Sequence, residues 1–98
     1  MSLPIQFRPE AQEEYDAAID WYELQQTGLG ADLAQKVGDS IGRISANPQL
    51  HAKVYGDVRK ATVKRFPYIV LYQVDPTEIV VVSVFHTSRD PNEWKSRI

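Results

Sequence analysis

Apolar and polar residues alternate through Leu3, Ile5 and Phe7, and this period of two predicts a short first strand. The period then changes. Ala11, Tyr15, Ala18, Ile19 and Tyr22 recur at helical spacing, and Pro9 suits the first helical turn, where its missing N–H costs nothing. Glu10, Glu13, Glu14 and Asp16 sit favourably near the positive end of the helix dipole. A second stripe of Ala17, Trp21 and Leu24 widens the apolar face; it serves either the protein's own helix and sheet or, through an exposed Trp21, another chain. Thr27-Gly28-Leu29-Gly30 breaks the pattern, and Leu29, Leu33, Val37, Ile41 and Ile44 start a second helix. That helix ends near Asn47-Pro48, because proline disfavours helical geometry in the residue before it. Two helices joined by a tight glycine turn predict an antiparallel hairpin.

Residues 48–57 read as a loop. A second strand is expected from Val58 to Phe66, with Ala61 and Val63 sharing a face with Arg59 and Arg65, and Lys60, Thr62 and Lys64 on the other. Phe66-Pro67 forms a turn, Tyr68 to Val74 a third strand, and Asp75-Pro76-Thr77 another turn. The fourth strand, Ile79 to His86, is apolar on both faces except at Ser83, as a strand covered on both sides would be. Pro91 to Arg97 closes the chain with a helical turn. The order β-α-α-β-β-β predicts an α+β fold, a helical hairpin on a mostly antiparallel sheet. A single domain over residues 1–98 is expected, since no linker, repeat or low-complexity tract divides the chain.

Composition narrows the function classes. A chain of 98 residues buries roughly 60–65% of its unfolded surface, enough for one modest core. There is no cysteine, so disulfide frameworks and thiolate metal sites are excluded. No signal peptide or membrane span is expected, and the cysteine usage fits a cytoplasmic protein. The net charge of −2 hides an asymmetry. Residues 1–50 carry eight acids and three bases, and residues 51–98 five acids and eight bases. The cationic half suits either a solvated face or an acidic partner, whereas a sequence pI near 5.6 speaks against general nucleic-acid binding.

No Ser/His/Asp or Cys/His nucleophile set can be assembled, because the only histidines are His51 and His86. Two histidines and scattered acids also lack metal-ligand spacing, and the loop glycines match no phosphate-binding motif, so no metal or cofactor is expected. What remains is polarity beyond the needs of a core: Arg59, Lys60, Lys64, Arg65, His86 and Arg89, the candidate target-binding residues. His86 also has a structural reading, as a hydrogen-bonded histidine at a strand end. Asp90 is expected to cap the Pro91 turn, Arg89 to tie the C-terminal segment to the sheet or to face a target, and Trp94 to anchor the tail.

In order along the chain stand Trp21-Tyr22-Glu23, Gly28-Leu29-Gly30, Asn47-Pro48, Val58-Arg59, Arg65-Phe66-Pro67-Tyr68, Val84-Phe85-His86, Arg89-Asp90-Pro91, Trp94 and Arg97. This ordered set resembles the RelE/ParE superfamily of bacterial type II toxins, and most of all its ParE-like, plasmid-stabilisation branch. The resemblance implies a small toxin held inactive by a cognate antitoxin, ParD-like or other, in a hetero-oligomer. It implies two targets, with a degenerate, non-toxic interaction protein as the further alternative. One is DNA gyrase, bound without catalysis. The other is messenger RNA on the ribosome, cut without a metal, for which His86, Arg89, Arg65 and Lys64 are the catalytic candidates. No tyrosine follows Tyr72, so the late-tyrosine position of RelE-like nucleases is unfilled. A free sheet edge and an apolar helix-hairpin groove could accept an antitoxin strand and helix. Trp21, Leu24 and Tyr22, with the first-strand edge, are the candidate antitoxin contacts.

Overall fold

Proline at position 9 decides how the first strand ends. In the computed structural model, which describes residues 3–98, β1 (Ile5–Phe7) runs for only three residues before α1 (Pro9–Gln25) begins. Met1 and Ser2, included in the expected domain, lie outside the described residues. α2 spans Leu29–Ala46, β2 Lys53–Tyr55, β3 Val58–Thr62, β4 Tyr68–Val74, β5 Ile79–His86 and α3 Asn92–Lys95. The sheet order is β1-β5-β4-β3-β2, antiparallel except where β1 lies parallel to β5. The fold is thus α+β, with two helices on one face of a five-stranded, mostly antiparallel sheet.

The turn between the helices has two physical requirements that glycine meets. Gly28 adopts φ +92°, a left-handed geometry costly for any residue with a Cβ. Gly30 lies where a Cβ would come within 2.7 Å of the Ile19 carbonyl, so any side chain there would push α2 away from α1. Glu23, in the last turns of α1, accepts hydrogen bonds from the backbone N–H groups of Gly28 (2.9 Å) and Gly30 (3.0 Å), capping α2 from outside.

The main core lies between the hairpin and the sheet, where Leu33, Val37 and Ile44 of α2 and Ala11 and Ala18 of α1 meet Val70, Tyr72, Val81 and Val84. A smaller cluster of Val58, Leu71, Phe85 and Trp94 covers part of the opposite face, so the Trp94 of α3 does anchor the tail. Asp90 Oδ1 accepts from the Asn92 N–H at 3.0 Å, as expected of a cap.

Two expectations are corrected. The segment 48–57 is not all loop, because β2 pairs there with β3 through a turn at Gly56 (φ +56°). All three β2 residues are exposed, so no inside–outside alternation marks them in the sequence. The element order is therefore β-α-α-β-β-β-β-α. The strand expected to reach Phe66 stops at Thr62, whose carbonyl is taken by Ser40 Oγ (2.8 Å) and Arg43 Nη2 (3.2 Å) of α2. Arg65 then turns the chain at φ +69°, so it does not share the Ala61 and Val63 face with Arg59. Of the two readings of the stripe of Ala17, Trp21 and Leu24, the exposed one matches the structure, with Trp21 57% and Leu24 84% exposed.

Candidate functional site

The six candidate target-binding residues do not converge. Arg59 Nη1 donates to the carbonyls of Gln49 (3.0 Å) and His51 (2.7 Å), clamping the segment that enters β2. The Tyr72 hydroxyl helps, donating to the Pro48 carbonyl at 2.6 Å. Lys60 lies on the sheet face away from the helices, beside Val54, Ile69 and Trp94. On the same face the Lys95 ammonium stands 5.3 Å from the Tyr55 ring centre. Lys64 and Arg65 are exposed at the β3–β4 turn with no ion-pair partner among the described residues, and Arg65 borders a groove with Tyr22, Phe66 and Lys36. His86 and Arg89 sit together at the end of β5, beside Tyr68 and Trp21.

Both members of that last pair have internal partners. His86 Nδ1 accepts from the Ser88 backbone N–H (3.1 Å) and lies 2.8 Å from Ser88 Oγ, while its ring stands edge-on to Tyr68. In the neutral ring this places the proton on Nε2. Burial, with Tyr22 nearby, pushes the Tyr68 phenol above its ordinary pKa, so it stays protonated at neutral pH. The Arg89 guanidinium spans two carboxylates: Nε and Nη2 reach Glu93 at 3.1 and 3.0 Å, and Nη1 reaches Glu14 at 3.0 Å. It also lies 4.9 Å from the Phe85 ring centre.

Glu14 is the hub of this region. Its carboxylate accepts from Ser83 Oγ at 2.8 Å, from Arg97 at 2.9 and 3.0 Å, and from Arg89 at 3.0 Å. Arg97 also donates to the Val82 carbonyl at 3.0 Å, and Arg8 donates to the Arg97 carbonyl at 3.1 Å. Burial pulls the Glu14 pKa up, but the hydrogen bonds from Arg97 and Ser83 and the charge of Arg97 outweigh it, and the net shift is downward. Sequence reasoning gave Glu14 only a place near the helix dipole and Arg97 only a place in the ordered family set, and it assigned no role to Ser83 or Glu93. The one signal was Ser83, the single polar residue in an otherwise apolar strand.

Beside the hub, α1 and β5 leave an open groove of about 430 Å³. Ala17, Ala18, Trp21, Tyr68 and Val84 line it, and Glu13, His86 and Arg89 stand at its rim. Of the candidate antitoxin contacts, Trp21 lines this groove, Leu24 is exposed further along α1, and Tyr22 packs edge-on against Phe66 at 5.0 Å. Among the described residues no group of three or more His, Asp or Glu side chains is placed to hold a metal ion, and no helix is long and apolar enough to cross a membrane.

Comparison with known proteins gives a consistent picture. The family described as "ParE toxin of type II toxin-antitoxin system, parDE" matches residues 5–91. Among solved structures, the chain is similar to one of the chromosomal ParDE toxin–antitoxin system from P. aeruginosa, with TM-score 0.75, 17% identity, and coverage of 87% of this chain and 96% of that one. It is also similar to a chain of the YoeB dimer from Staphylococcus aureus, with TM-score 0.61, 21% identity, and coverage of 86% and 95%. At these identities the likeness is one of fold. No curated protein sequence matches the chain.

Proposed function

Because the chain belongs to the ParE toxin family of type II toxin–antitoxin systems, we propose that a cognate antitoxin neutralises it and that it acts by binding DNA gyrase without catalysing a reaction. Its site of action is then the cytoplasm, and plasmid stabilisation is the role that the branch suggests. The observation that carries the non-catalytic reading is the dispersal of the candidate groups. Metal-free RNA cleavage asks a base, an acid and several cations to surround one phosphate. Here Arg59, Lys60, Arg65 and the His86–Arg89 pair line four different surfaces. The His86–Arg89 pair is occupied internally, His86 Nδ1 by Ser88 and Arg89 by Glu14 and Glu93. Lys64 and Arg65, exposed and unpaired, are the cations most available to a macromolecular target.

The test is expression from a tightly controlled promoter, followed by supercoiling by purified gyrase and by the integrity of mRNA on ribosomes. Blocked supercoiling with intact mRNA is expected. Reversing charge at the turn (Lys64→Glu with Arg65→Glu) should remove the inhibition while moving stability by less than about 0.5 kcal/mol, as surface substitutions do. Cleaved mRNA beside unaffected gyrase overturns the proposal.

A further inference from the structure

Between α2 and the β3–β4 turn lies a second groove, of about 430 Å³. Part of its lining is apolar: Leu29, Phe66 and Pro67, with Tyr22 edge-on to Phe66 at 5.0 Å. The rest is polar. Asp32, Gln35 and Lys36 come from one face of α2, and Arg65 comes from the turn. Ser40, one helical turn beyond Lys36, donates to the Thr62 carbonyl at 2.8 Å, so the Lys36 end of the groove lies toward the end of β3.

The charges in this groove are left open. An aspartate four residues before a lysine on a helix is well placed to pair with it. Asp32 and Lys36 nevertheless form no ion pair, and neither they nor Arg65 have an ion-pair partner among the described residues. Lys36 is half-buried, where an ammonium without a counter-charge is costly. Arg65 is held at φ +69°, a backbone geometry unfavourable for a residue with a Cβ. The Val63 N–H donates to the Tyr68 carbonyl at 3.1 Å and the Tyr68 N–H to the Phe66 carbonyl at 2.8 Å, so the turn that carries this cation is already set before anything binds.

We infer that the groove binds a nucleoside monophosphate. Lys36 and Arg65 take the phosphate in charge-assisted hydrogen bonds. The flat base lies against Leu29, Phe66 and Pro67. Leu29 and Lys36 are seven residues apart on α2, about 10 Å along its axis, which suits a ligand with an apolar ring at one end and an anion at the other. Asp32 and Gln35, between those ends, accept from the sugar hydroxyls. The Asp32 carboxylate also disfavours a longer phosphate chain, whose added charge would approach it.

Binding is measured on the free full-length chain, without gyrase or antitoxin, so the outcome stands apart from the proposed target. Calorimetric titration with adenosine monophosphate should give saturable binding, with adenosine alone and inorganic phosphate alone each at least about tenfold weaker. Amide NMR shifts should centre on Leu29, Asp32, Lys36 and Phe66. Arg65→Gly removes the cation at a position whose backbone geometry glycine adopts freely, and Lys36→Gln removes the other on an intact helix. Each should weaken binding at least about tenfold, whereas Lys95→Gln, on the far face of the sheet, should leave it unchanged. Absence of saturable binding at millimolar nucleotide overturns the site. So does inorganic phosphate that binds as tightly as the nucleotide, or a loss in Lys95→Gln equal to that in Lys36→Gln. An unphosphorylated single-stranded oligonucleotide that binds more tightly than adenosine monophosphate would make the groove a path for a strand, and the assignment would be wrong.

Discussion

Replacing Glu14 by glutamine tests whether the hub holds the C-terminal segment to the body of the domain. The substitution keeps the shape and removes the charge. It also aims an amide NH₂ at guanidinium donors that now meet a carboxylate oxygen. Glu14 and Arg97 are only 12% and 15% exposed in their side chains, so the Arg97 cation is left nearly buried without its counter-charge. Removing one member of a buried pair costs about 3–5 kcal/mol. Arg89 is 39% exposed and keeps Glu93, so its share is small and the lower figure applies, about 3 kcal/mol in all. For a domain of this length that corresponds to a fall in Tm of roughly 12–24 °C.

The pH dependence follows from the same group. Its folded pKa lies below the ordinary value of 4.5, so the stabilisation is fully present above that value and is lost as pH falls through the folded pKa. The gap between wild type and Glu14→Gln should therefore be constant near neutral pH and close progressively below pH 4.5. Urea unfolding at several pH values, with calorimetry, measures both effects. A second variant, Arg97→Met, and the double mutant give the coupling; the double mutant should be less destabilised than the two singles added together. A Tm shift under about 3 °C for Glu14→Gln, or a gap that does not narrow in acid, refutes the reasoning.

The glycines of the helical hairpin should respond in opposite directions. Gly30→Ala puts a Cβ 2.7 Å from the Ile19 carbonyl and should cost about 1–3 kcal/mol, whereas Gly38→Ala and Gly42→Ala, in open surroundings within α2, should each stabilise by about 0.5–1 kcal/mol in urea titrations. Tyr72→Phe strips the Pro48 carbonyl of its 2.6 Å donor and should cost about 1–3 kcal/mol, with faster amide exchange at residues 49–51 as the local readout.

The layers of this fold were legible because periodicity reports burial. The helix hairpin, β4 and β5 all present apolar residues at the spacing their burial demands, and the sequence predicts their bounds closely. β2 escaped because it buries nothing, and the end of β3 because the α2 side chains that satisfy Thr62 lie 19 and 22 residues away. The candidate site was less readable for the same reason. A cation looks alike in sequence whether it faces solvent or a carboxylate. Arg89 and Arg97 meet Glu14 across 75 and 83 residues, and no local pattern foretells such a partnership. Arg59 was similarly ambiguous until its carbonyl partners were placed.

The 83-residue span between Glu14 and Arg97 also orders events at the ribosome. Arg97 is synthesised 83 residues after Glu14, when every strand of the sheet has already been made. Long-range closures of this kind form last, because so much chain must be organised before they reward it. A nascent chain interrupted between β5 and Arg97 would carry a Glu14 carboxylate turned toward Ser83 without that counter-ion.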